Sequence, residues 1–73
     1  MAFMTDSLVR IVSAGGGLTI DGQNMMTNSL VRIASAASRS GAKITITNVG
    51  GFMTDSLVRI ASAGGGNVVF DLR

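Results

Sequence analysis

The chain has 73 residues, a formal net charge of +2, and neither cysteine nor histidine. Disulfides are therefore excluded, and so is a zinc site, because zinc is usually held by Cys or His. The 6 basic residues are dispersed and Trp and Tyr are absent, which argues against a nucleic-acid interface built from a basic cluster or stacked aromatics. A chain this short buries only about 60% of its unfolded surface, so we expect oligomerisation or unusually good packing to add stability.

One segment occurs three times along the chain. Its copies are MTDSLVRIVSAGGG at residues 4–17, MTNSLVRIASAASRSG at 26–41 and MTDSLVRIASAGGG at 53–66. The first and third copies differ only by Val12 against Ala61. Internal repeats on this scale are typical of stacked supersecondary units. We therefore interpret residues 1–73 as a single repeat domain. Its units span approximately 4–22, 26–48 and 53–72.

The repeated segment predicts a helix in each unit. In the third copy, one helical face carries Met53, Leu57, Ile60, Ala61 and Gly64. We expect this face to be buried. We also expect Thr5, Thr27 and Thr54 to act as N-caps, and the following glycines to end the helices in a left-handed conformation. The middle copy is longer by about one turn, which predicts a helix that continues to Ser40 and is capped by Gly41.

A short alternating segment follows each helix and predicts a strand. The segments are LTID (Leu18–Asp21), ITIT (Ile44–Thr47) and VVFD (Val68–Asp71). Their β-branched composition and flanking Gly or Asn are typical of strands. One side of the predicted sheet carries Leu18, Ile20, Ile44, Ile46, Val68 and Phe70. We expect this side to pack against the helices and the other side to remain open.

The order helix, strand, helix, strand, helix, strand predicts an α/β fold. Parallel strands joined by right-handed crossovers, with every helix on one face, would form a short two-layer αβ solenoid of three helix–strand repeats. Its three-stranded parallel sheet would have the order 1-2-3. This architecture is similar to a leucine-rich-repeat horseshoe of three units. The Leu and Asn spacing of that family is absent, so the resemblance assigns no binding residues.

The open side of the predicted sheet is one candidate interaction face. It carries Thr19, Asp21, Thr45, Thr47, Val69 and Asp71. Solenoids often bind partners on such a face. The alternative is a solvent-exposed surface on which threonine side chains stabilise the sheet by cross-strand contacts.

A candidate anion or partner stripe consists of Arg10, Arg32 and Arg59 at matching helical positions. Asp6 and Asp55 each lie four residues before an arginine, which predicts local ion pairs on a solvated helix face as the alternative. Asn28 replaces the acid in the middle unit. We therefore expect Arg32 to find a partner on an adjacent helix, either Asp6 or Asp55.

Nothing in the sequence predicts catalysis, a cofactor or a small-molecule substrate. The chain has no His, Cys or Glu to serve as a base for its many serines. The glycine runs follow helices and precede strands, which is the reverse of a phosphate-binding loop. NVGGFMT (residues 48–54) has the required order but lacks a lysine. We therefore expect no enzyme activity, no catalytic residues and no metal site.

Self-association is the function that the sequence favours. Solenoids normally end in polar capping repeats, and the first and third units here are nearly identical to each other and uncapped. Exposed strand edges and helix flanks would then join copies into a homo-oligomer or filament. The alternatives are a small basic module for nucleic acid or another anionic partner, and a constructed or duplicated repeat protein without a dedicated function. Without a signal or membrane-spanning segment, we expect a cytoplasmic protein.

Overall fold

In the computed structural model, residues 4–23 and 25–72 are described, and helices alternate with strands along them. The elements are α1 (Thr5–Ser13), β1 (Leu18–Asp21), α2 (Thr27–Ser40), β2 (Ile44–Thr47), α3 (Thr54–Gly64) and β3 (Val68–Phe70). The predicted order is confirmed. β3 is one residue shorter than expected, because it ends at Phe70 rather than Asp71.

The three strands form an open parallel sheet in the order β1-β2-β3. The register places Leu18 beside Ile44 and Ile44 beside Val68. The backbone N–H of Asp71 extends the pairing beyond β3 by donating to the carbonyl of Ile46 at 2.9 Å. These pairings confirm the parallel sheet and its 1-2-3 order.

The core lies between the sheet and the helices, which all pack on one face of the sheet. Ile20, Ile44 and Ile46 are buried in one cluster with residues of all three helices, and Leu18, Val68 and Phe70 pack against it. On the opposite face, Thr19, Asp21 and Val69 are exposed, and Thr45 and Thr47 are half-buried. The predicted division of the strand residues between two faces is therefore confirmed.

The helices begin one residue earlier than the threonine caps predicted. Met4, Met26 and Met53 occupy the N-cap positions with extended backbones, and no side-chain cap hydrogen bond forms. Each Met carbonyl accepts the first helical hydrogen bond, from Leu8, Leu30 and Leu57 respectively, at 3.1–3.2 Å. The threonines are thus the first residues of the helices, and the prediction that they are N-caps is wrong.

Glycine ends each helix, but in different ways. After α1, the Gly15 N–H donates to the Val12 carbonyl and the Gly16 N–H to the Ile11 carbonyl, which is the Schellman pattern. Gly15 has φ +97°, a conformation that costs a residue with a Cβ. After α2 and α3, the left-handed cap residues are Gly41 and Gly65.

The additional turn of α2 ties the three units together. Its Ala36 and Ala37 are buried. Ser40 Oγ donates to the Val12 carbonyl at the end of α1 at 2.7 Å. Asn67 Nδ2, from the loop after α3, donates to the Ala37 carbonyl at 3.1 Å. The predicted extension to Ser40 with Gly41 as cap is confirmed, and the added turn is hydrogen-bonded to the end of α1 and to the loop after α3.

Candidate interface surfaces on the two end helices

Each helix presents two flanks, one towards the preceding unit and one towards the following unit. The preceding flank carries Ser7, Arg10 and Ile11 in α1, Ala14 at its C-cap, and the equivalent residues in the units of α2 and α3. The following flank carries Asp6, Val9 and Val12 in α1, Asn28, Val31 and Ala34 in α2, and Asp55, Val58 and Ala61 in α3. Two side-chain hydrogen bonds identify the flanks: Arg32 of α2 donates to Asp6 of α1, and Arg59 of α3 donates to Asn28 of α2.

The isoleucine of the preceding flank has different surroundings in the three units. Ile33 and Ile60 are both 0% exposed, whereas Ile11 is 39% exposed. Ile33 and Ile60 have a helix before them, and within residues 4–72 no helix lies on that side of α1. A residue that closes the core in two units is therefore an apolar surface residue in the first.

The following flank shows the same effect at the opposite end. Val12 and Ala34 are 0% exposed. Their equivalent in α3, Ala61, is exposed. Val58 is 55% exposed, whereas Val9 and Val31 pack against the core. The prediction that Met53 and Ala61 lie on a buried face is wrong, because no helix follows α3 within the described residues and Met53 precedes its first turn.

The charged residues form a ladder between helices rather than pairs within them. Arg32 and Asp6 make an ion pair at 2.9 Å, which confirms one of the two partners expected for Arg32. Arg59 Nη2 lies 3.5 Å from Asn28 Oδ1. No other ion pair occurs among the described residues, so the predicted local pairs Asp6–Arg10 and Asp55–Arg59 are wrong. Asp6 pairs instead with Arg32 of the adjacent helix.

The ladder leaves one charge without a described partner at each end. Arg10 lies on the preceding flank of α1 and Asp55 on the following flank of α3. Both are exposed, and no described residue makes an ion pair with either of them. Ser7, Arg10, Ile11 and Ala14 also line a shallow, open depression on α1. The two end surfaces are thus apolar and carry opposite charges.

The three arginines of the candidate stripe lie on the helix surface, but two of them contact side chains of the neighbouring helix. Arg10, Arg32 and Arg59 are all exposed. Arg32 is neutralised by Asp6, and Arg59 contacts the Asn28 amide. The geometry therefore favours a structural ladder over a free anion-binding stripe.

Two polar side chains of the open sheet face, Asp21 and Thr47, make hydrogen bonds within the protein. The Gln23 N–H donates to Asp21 Oδ1 at 2.9 Å. This bond and a second one to the Asn48 side chain lower the pKa of Asp21, because both stabilise the carboxylate. Asp21 is therefore charged at neutral pH. Thr47 Oγ1 donates to the Ile20 carbonyl at 3.3 Å, so this hydroxyl stabilises the sheet.

An exposed row of methionines also emerges from the fold. Met4, Met26 and Met53 are 74%, 71% and 73% exposed at the starts of the three helices. The sequence predicts Met53 on the apolar face of α3, because it continues the apolar spacing of that helix. Its position at the N-cap, before the first turn, is the signal that removes it from that face.

Neither a metal site nor a membrane span emerges from the described part of the chain. Within it, no group of three or more His, Cys, Asp or Glu residues could hold a metal ion. None of the helices formed by the described residues has the length and apolar character needed to cross a membrane. No protein-family model, curated protein or solved structure matches this chain.

Proposed function

We propose that this protein is a non-enzymatic structural module that self-associates through the exposed flanks of α1 and α3. The observation that supports this proposal is the unequal burial of equivalent residues. Ile33, Ile60, Val12 and Ala34 are buried between helices, and their counterparts Ile11 and Ala61 are exposed at the ends. A second copy of the chain supplies the kind of surface that already covers these positions internally.

Apolar burial is the driving force for this association. Fully burying an aliphatic side chain stabilises a complex by about 1.5–3 kcal/mol, and Ile11 and Val58 are only partly covered in the single chain. Association also costs translational and rotational freedom. A standard interface buries roughly 800 Å² per partner, and each end surface offers one helix flank and one strand edge. We expect reversible association that depends strongly on protein concentration.

Light scattering over a concentration series tests the proposal. The weight-average mass should rise above the 7.5 kDa of the single chain as the concentration increases. Ile11→Asp should return the mass to that of the monomer, because it places a charge in the contact. Arg39→Asp, an exposed position on α2 away from both end flanks, is the matched control and should leave the mass unchanged. A constant monomer mass at all concentrations would refute the proposal.

Binding of an anionic partner receives less support. Two of the three stripe arginines already contact Asp6 or Asn28, and the remaining basic side chains do not form a dense patch. Electrostatic nucleic-acid binding weakens steeply with salt. A gel-shift experiment at low ionic strength that detected such binding, lost on Arg10→Ala, would favour this alternative.

A further inference from the structure

The structure contains two internal junctions that are close copies of each other. At the first, the preceding flank of α2 packs on the following flank of α1, and β2 pairs with β1. At the second, α3 packs on α2 and β3 pairs with β2. Each junction buries an isoleucine, Ile33 or Ile60, and each joins an arginine to the residue at the Asp6 or Asn28 position. One geometry therefore recurs whenever two units meet.

The exposed surfaces at the two ends are the two halves of this same junction. The following flank of α3 carries Asp55, Val58 and Ala61, which match Asp6, Val9 and Val12 at the first junction. The preceding flank of α1 carries Arg10 and Ile11, which match Arg32 and Ile33. Asp55 retains the aspartate that the second junction lacks, so the end surfaces reproduce the first junction's charge pair. They are complementary to each other in both apolar shape and charge.

On the basis of the proposed function, we infer that copies join head to tail and that Arg10 of one copy pairs with Asp55 of the next. The flank of α1 packs on the flank of the neighbour's α3, and Ile11 becomes buried as Ile33 and Ile60 are. The contact joins different surfaces of two identical chains. Such heterologous contacts form rings or open filaments, because each added copy leaves one end of each kind.

The same arrangement continues the sheet from one copy to the next. The outer edge of β3 and the outer edge of β1 each leave backbone groups unpaired within the described sheet, and exposed strand edges recruit further strands. Repeating the internal register places Val68 beside Leu18 of the next copy.

A two-fold symmetric dimer does not reproduce the internal junction. Joining two copies of the same strand edge about a two-fold axis pairs these strands antiparallel, so the helices of the partner run in the opposite direction. Arg10 and Asp55 then lie at different ends of the assembly and cannot meet. Only the head-to-tail arrangement keeps all strands and all helices parallel.

Reciprocal charge reversal tests the inferred pairing. Arg10→Asp and Asp55→Arg each place like charges at every head-to-tail junction, and each should raise the dissociation constant about tenfold. An equimolar mixture of the two variants should restore assembly, because every junction between unlike chains again joins an acid to a base. The double variant should assemble alone. Arg39→Asp, on the additional turn of α2, is the matched control and should have no effect.

Light scattering measures the assembly, native mass spectrometry counts each variant in the restored oligomers, and circular dichroism confirms that all variants are folded. Oligomers larger than two, with alternating variants, are the expected result. Loss of assembly in only one single variant would overturn the inference in favour of a symmetric contact. Assembly of the original chain that ignores both reversals would overturn it while leaving the proposed function intact. A monomeric original chain would refute both.

Discussion

The first and third units have nearly the same sequence but bury opposite flanks. In α1, Val12 is buried and Ile11 is 39% exposed. In α3, Ile60 is buried and Ala61 is exposed. The repeated segment is therefore apolar on both flanks, and the neighbours of each helix determine which flank enters the core. Only α2, with a neighbour on each side, uses both.

The two units also end their helices differently. Both contain the sequence Ser-Ala-Gly-Gly-Gly, but α1 ends at Ser13 and α3 continues to Gly64. The third unit has one more residue, Asn67, before its strand, and this residue's side chain is fastened to α2. The first unit must reach its strand sooner, and its helix ends at the Schellman turn. Helix length thus depends on the distance to the next strand as well as on local sequence.

The largest expected contrast is between the two isoleucines. Ile60→Ala removes a fully buried side chain and should cost about 2–5 kcal/mol, a large share of the roughly 4–11 kcal/mol expected for a domain of this size. Ile11→Ala should cost about 1 kcal/mol or less in the dilute monomer, because Ile11 is already partly hydrated. Urea denaturation followed by circular dichroism measures both. Equal losses would contradict the assignment of flanks.

The single sequence difference between the two copies gives the next contrast. Val12→Ala makes the first copy identical to the third and should destabilise the fold by about 2 kcal/mol, since Val12 is fully buried. Ala61→Val makes the reciprocal change on an exposed position and should alter stability by no more than about 0.5 kcal/mol. The same denaturation experiment applies. A larger effect at residue 61 would show that α3 buries its following flank.

Replacing either of two equivalent glycines, Gly64 or Gly15, by alanine should destabilise the fold, but for different reasons. A Cβ on Gly64 would overlap the Val68 side chain, so Gly64→Ala should cost about 1–2 kcal/mol by overpacking. Gly15 faces open space at φ +97°, so Gly15→Ala should cost a similar 1–2 kcal/mol through backbone strain. Adding Val68→Ala should relieve the first substitution but not the second. Double-mutant cycles measure this coupling, and equal coupling at both sites would contradict it.

The smallest contrast concerns the two aspartates. Both lie in the first turn of a helix, so changing either to asparagine removes the same favourable interaction with the helix dipole. Asp6→Asn also removes the ion pair to Arg32 and should cost about 0.2–1 kcal/mol more than Asp55→Asn in the monomer. High salt should reduce this difference. A difference that high salt leaves unchanged would mean that it does not arise from the ion pair.

The helices and strands are predictable from the sequence because their signals are local. The alternation of Ile44–Thr47 and the glycine at position 41 each identify an element without reference to the rest of the chain. The interhelical pair between Arg32 and Asp6 is predictable from the sequence for a different reason. Asn28 removes the nearby acid, so Arg32 had to find a partner on another helix, and the structure shows it on α1.

The errors arose where position in the stack matters. Met53 and Ala61 continue the apolar spacing of α3, but Met53 precedes the helix, and no helix of the described chain lies beyond α3 to cover Ala61. The predicted Asp6–Arg10 pair was displaced by an arginine from the next helix. Helical spacing describes what a side chain can reach along its own helix, and it contains no information on which neighbouring helix competes for that side chain.

By itself, the sequence determined three helix–strand units, a parallel sheet and a one-sided helical layer, because hydrophobic periodicity and turn residues act over a few residues. The tertiary structure alone decided which flank of each helix is buried and which charges remain at the ends. Burial depends on having a neighbour, and a repeated segment meets different neighbours at the beginning, the middle and the end of a stack.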